Sequence, residues 1–82
     1  MSEKDLECEY NMQLNSLDEI IEFVIEMDKC KDSLYAIGEN AYADAKSILG
    51  MFSIDTSRPL TVEFYGDVPR EVQKGMKRFI ID

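Results

Sequence analysis

The run Lys46-Ser47-Ile48-Leu49-Gly50 sets a hydroxyl directly ahead of short, mostly apolar residues. Serine is a strong N-cap, and the free N–H groups and positive dipole end of a helix attract phosphate. The chemistry suggested at Ser47 is therefore phosphate acceptance. A second hydroxyl, Ser16, opens Ser16-Leu17-Asp18-Glu19, which has the spacing of a capping box. The chain contains no histidine, so phosphoryl transfer through an imidazole nitrogen is impossible. The carboxylates lack metal-loop spacing, and Gly38 and Gly50 form no phosphate loop. Cys8 and Cys30 lack metal-ligand spacing and read as reduced, structural thiols, although their number permits one disulfide. Cys8 falls on the side of its strand expected to be buried, which argues against a reactive thiol. No metal or cofactor is expected.

The elements that position these residues follow from periodicity. Leu6, Cys8, Tyr10, Met12 and Leu14 alternate with polar residues, as in a half-buried strand. The spacing predicts a helix over Ser16–Cys30, with Leu17, Ile20, Ile21, Val24 and Ile25 on one face. Ser33 to Ile37 reads as a second strand. Gly38-Glu39-Asn40 reads as a turn, and Ala41, Ala43 and Ala45 lie along a third strand. A short helix is expected over Ser47–Ile54, and Asp55-Thr56-Ser57-Arg58-Pro59 forms a loop. Leu60, Val62 and Phe64 mark a fourth strand. The last helix is expected over Val68–Ile80, with Asp67 as N-cap, Pro69 in its first turn, and Val68, Val72, Met76 and Phe79 facing inward. The fold class is α+β: an open-faced βαββαβα sandwich, with a four-stranded antiparallel sheet and three helices on one face.

Eighty-two residues suit a single domain over 1–82, and a 45% apolar share suits a globular chain. The net charge of −8 is uneven: residues 1–45 hold twelve acidic and three basic side chains, residues 46–82 five and six. Nucleic acid and an acidic membrane surface are poor partners for such a chain. No apolar stretch is long enough to span a bilayer, and the charged N-terminus has no apolar signal core, so a cytoplasmic location is expected.

The element order and the run at Ser47 resemble HPr, the histidine-containing phosphocarrier of the bacterial sugar phosphotransferase system. The resemblance covers nearly the whole chain, and its motif is Lys46-Ser47-Ile48-Leu49-Gly50. It implies that Ser47 matches the serine phosphorylated by a dedicated kinase in many Gram-positive members. It also places Ser16 at the family's catalytic histidine, Asp18 at the neighbouring arginine and Glu19 at the motif's proline. Ser16 would form a phosphate ester, too stable to hand on readily, and Asp18 would repel phosphate rather than hold it. The chain is thus similar to the catabolite-repression branch of HPr, which also lacks the histidine and keeps the serine. Neither a phosphocarrier nor an enzyme is expected.

Ser47 has two readings, a plain N-cap and a regulatory phosphorylation site. Ile48, Leu49 and Phe52 are core residues or, as the resemblance implies, an outward patch that docks on a protein partner. Asp18, Glu22 and Glu26 recur every fourth residue, as a solvated face or a surface that steers a basic partner. The leading expectation is a regulatory or protein-interaction domain. The alternative is a structural or small-ligand module on the same fold, unrelated to sugar transport.

Overall fold

The computed structural model describes residues 6–81. Its elements are β1 (Cys8–Met12), α1 (Leu17–Met27), β2 (Leu34–Ile37), β3 (Tyr42–Asp44), α2 (Ile48–Phe52), β4 (Leu60–Phe64) and α3 (Arg70–Met76). A 3-10 turn, Lys77–Phe79, follows α3. The four strands form one sheet in the order β1-β4-β2-β3, and every pairing is antiparallel. β4 is inserted between β1 and β2, so α1 must cross over it to join them.

Alternation along the strands gives the sheet one apolar face. Met12, Leu34, Ala36, Ala43, Leu60, Val62 and Phe64 are buried, and their sequence neighbours turn outward. Three helices cover the apolar face. Phe23 of α1 and Phe79 of the 3-10 turn meet edge to face, with ring centroids 5.8 Å apart. Arg78 stacks over the Phe79 ring at 4.6 Å and donates to Glu22 Oε1 at 2.8 Å, tying the chain end to α1.

The buried face of α1 differs from the expected one. Ile20, Phe23, Val24 and Met27 are buried, at i, i+3, i+4 and i+7, whereas Leu17 and Ile25 are 63% and 58% exposed. The helix carries two overlapping apolar stripes. The sheet takes the one with the bulkier Phe23 and Met27, which removes more apolar surface from water. α1 also ends earlier than expected, with Asp28 as its C-cap.

The start of α3 is a second correction. Pro69, not Asp67, is the N-cap, and the cap has no side-chain hydrogen bond. Proline disfavours helical backbone in the residue before it, so Val68 cannot open the helix. Gln73 compensates: its backbone N–H donates to Pro69 O at 3.0 Å and its Nε2 to Val68 O at 2.9 Å. The helical pattern continues to Phe79, but its last turn is 3-10. Val72, Met76 and Phe79 are buried, and Val68 packs against the core.

Gly66, just after β4, serves a close approach. A Cβ there would overlap the Asp32 side chain, which lies over this turn. Ala41 is exposed and lies before β3, so the third strand is shorter than the alanine alternation suggested.

Phe23→Ala should lower the unfolding free energy by about 3–5 kcal/mol in urea denaturation. Leu17→Ala should change it by no more than about 0.5 kcal/mol. Equal losses at the two positions would contradict this assignment of the buried face.

Candidate functional site

Among the described residues, the core contains no buried polar or charged side chain, and no buried side-chain nitrogen or oxygen lacks a partner. The residues that could do chemistry therefore lie at the surface. Ser16 sits before α1 with extended backbone, and its Oγ accepts from Glu19 N at 3.2 Å. Glu19 Oε1 accepts in return from Asn15 N at 2.9 Å, one residue ahead of the cap. The pair closes the first turn as a capping box does. Asp18 is exposed in the same turn, where a carboxylate complements the positive end of the helix.

Ser47 caps α2 in the same way. Its Oγ accepts from Gly50 N at 3.0 Å, and Met51 N donates to Ser47 O at 2.9 Å. Asp44 Oδ1 accepts from Lys46 N at 2.9 Å, fixing the approach to the cap. Gly50 fits under the serine: a Cβ there would lie 3.3 Å from Ser47 Oγ and 3.4 Å from Asp44 O. Ser53 Oγ closes the other end by donating to Gly50 O at 2.6 Å. This five-residue helix is thus held by hydroxyls at both ends, since one turn and a half is too short to be stable alone.

α2 turns one residue inward and three outward. Met51 is completely buried, whereas Ile48, Leu49 and Phe52 are 38%, 78% and 46% exposed. α1 packs against both α2 and α3. Glu22 pairs with Arg78, and Glu26 lies against Gly75 of α3 and pairs with Lys29 Nζ at 3.3 Å. This carboxylate flank of α1 therefore faces α3. At 100° per residue the opposite flank carries Leu17, Ile21 and Ile25, on the α2 side. The two helices together carry five of the eight large hydrophobic side chains that are exposed among the described residues. The result is an apolar surface of mixed origin, with Asp18 near one end of α1.

Ser16 and Ser47 were legible as caps. Leu17 and Ile25, read from the sequence as core, instead join the outward surface. A second apolar stripe beside the Phe23–Met27 stripe was the available signal. Asp18, Glu22 and Glu26 do not act together: Glu22 and Glu26 join α1 to the chain end and α3, and Asp18 alone of the three faces water in the first turn. Such exposed pairs contribute about 1 kcal/mol or less each, so their part is orientation more than stability.

Both cysteines are free. Cys30 is buried, and burial pushes its thiol up from the ordinary range, leaving little thiolate at neutral pH. Cys8 is half-buried, less enclosed than the strand alternation suggested. Among the described residues, no group of three His, Cys, Asp or Glu side chains could hold a metal ion, and no helix is long and apolar enough to cross a membrane.

Leu49→Glu should leave the unfolding free energy within about 0.5 kcal/mol of the parent. Met51→Glu, two residues away, should cost about 3 kcal/mol or more, because it buries a charge without a partner. Thermal and urea denaturation of the two variants distinguishes the outward from the inward side of α2.

No family model, curated protein or solved structure matches this chain.

Proposed function

We propose that this chain is an HPr-like domain without phosphohistidine chemistry, acting as a regulatory protein-interaction module. It docks through α2, and phosphorylation of Ser47 switches the docking. The observation that carries this reading is the outward placement of Ile48, Leu49 and Phe52 on a helix held at each end by a serine hydroxyl. An apolar anchor on a short, tightly capped helix is organised before the partner arrives, which reduces the ordering cost of binding.

The rim of this anchor differs from that of a phosphocarrier. By the resemblance, Asp18 stands where the family carries an arginine. An anion there selects against an acidic partner and favours a cationic one. Phosphorylation of Ser47 would add about −1.5 to −2 charges beside the exposed Ile48 and Leu49. It would also change the cap hydroxyl that accepts from Gly50 N. Both effects act on the docking surface.

A second reading, a small-ligand module, rests on a hollow of about 380 Å³ lined by Ile37, Gly38, Glu39, Asp55, Arg58 and Thr61, among others. Its volume is within the range of ligand pockets. Its cation is already engaged, since Arg58 Nη1 pairs with Glu39 Oε1 at 3.4 Å. Asp55 is engaged as well, accepting from Ser57 N at 3.0 Å and Ser57 Oγ at 2.6 Å, and these bonds hold its carboxyl below the usual range. The helix surface is the better supported site.

Two measurements test the proposal. Incubation with phosphoenolpyruvate and the first enzyme of the phosphotransferase system should leave the protein without an acid-labile phosphoryl group; labelling would refute the loss of carrier activity. Affinity capture from the source cell should recover a protein partner with the parent chain, lose it with Leu49→Glu or Phe52→Glu, and change it with Ser47→Asp. Variants that stay folded and bind with unchanged strength would place recognition elsewhere.

A further inference from the structure

The face of the sheet turned away from the helices carries three of the four tyrosines. Tyr35 meets Tyr42 and Tyr65 edge to face, with centroids 6.0 and 5.8 Å apart. Tyr42 is 72% exposed, and Tyr35 and Tyr65 are half-buried, so ring surface remains open to solvent. Residues 35, 42 and 65 come from β2, β3 and the end of β4, and strand pairing alone brings them together.

The strand register also lines up carboxylates beside these rings. Glu9, Glu63, Tyr35 and Asp44 form one row across all four strands. Glu9 and Glu63 are directly opposite, an arrangement in which like charges repel. Neither forms an ion pair among the described residues, and none of the outward side chains of the four strands is a cation. Lys31 and Lys46 stand at one corner, around Tyr35 and Asp44, where Asp44 already accepts the Lys46 backbone N–H. Glu63 Oε1 accepts from the Tyr65 hydroxyl at 2.7 Å, which fixes the carboxylate beside the ring. That bond, followed by burial, holds the Tyr65 hydroxyl above its ordinary range, so it remains a donor.

The occupant follows from charge and shape. A second copy of this chain would set Glu9 and Glu63 against their own like, and nucleic acid would bring phosphate to carboxylate. An uncharged partner would strip water from the carboxylates without replacing it. A guanidinium fits both parts of the surface: it stacks on a tyrosine face and donates in fork geometry to a carboxylate. The four strands span about 15 Å at ordinary strand spacing, which suits a length of chain better than a single amine. We propose that the outer face of the sheet docks an arginine-bearing extended segment of a partner protein, with guanidinium groups stacked on Tyr35 and Tyr65 and paired with Glu63 and Glu9. This site lies across the sheet from α2 and stands independently of the α2 reading.

The probe is an end-blocked peptide of alternating arginine and glycine, titrated into the ¹⁵N-labelled full chain and followed by amide shifts and tyrosine emission. With no tryptophan in the chain, emission reports mainly on this face. Expected are shifts at Tyr35, Tyr42, Glu63 and Tyr65, weaker binding of the matching lysine peptide, and no binding of the glutamine peptide. The Glu9→Gln/Glu63→Gln double variant should weaken binding about tenfold or more, as should added salt. Tyr35→Thr should weaken it as well; if that variant fails to fold, Tyr65→Thr, at the other stacking ring, makes the same test. Four results would each overturn the proposal: shifts confined to α1 around Asp18, binding indifferent to the glutamine variants, equal binding of the glutamine peptide, or spermine bound as tightly as the arginine peptide by parent and tyrosine variants alike.

Discussion

The edge-to-face contact of Phe23 with Phe79 is the contact on which the arrangement depends. It joins the first helix to the 3-10 turn that follows α3, two segments far apart in sequence. Both rings are essentially removed from water, and aromatic pairs in this geometry add to the stabilisation from burial alone. Arg78 reinforces the joint from outside by covering Phe79 and pairing with Glu22. β1 and β4 pair antiparallel along their whole length. Backbone bonds of Gln13 and Ile81 then draw the C-terminal segment along β1.

An apolar layer on one side of a sheet leaves the other side to water. The buried apolar strand residues point to the helices, so residues on the outer face take no part in the buried core. That freedom allows three tyrosines and the opposed Glu9 and Glu63 to occur there together. The same holds for α2. Met51 is the buried side chain of the helix, and Ile48, Leu49 and Phe52 remain exposed.

The uneven charge has a local structural consequence. Most of the acidity belongs to the first half of the chain, and α1 holds much of it. Glu22 is partly compensated by Arg78 of the 3-10 turn and Glu26 locally by Lys29, which also reaches Glu71 Oε2 of α3 at 3.5 Å. One cation of the second half, Arg78, thus ties the turn after α3 to α1, while Lys29 of the first half reaches Glu71 of α3. Asp18 in the first turn of α1, and Glu9, Glu63 and Asp44 on the outer face of the sheet, have no such ion pair among the described residues.

The sequence by itself determined the order of elements, the strand alternation, and the serine caps of α1 and α2, because each depends on residues within a few positions of one another. The inward residues of α3 were legible for the same reason. Tertiary structure decided which stripe of α1 is buried. Periodicity orders residues around a helix, but only the partner surface selects among overlapping stripes, and the sheet selected Phe23 and Met27 over Leu17 and Ile25. It also shaped the end of α3 as a 3-10 turn that delivers Phe79 to Phe23. Most of all it assembled the outer tyrosine cluster. Residues 35, 42 and 65 share a surface through the antiparallel register around β2 and β4, a long-range pairing that no local pattern specifies.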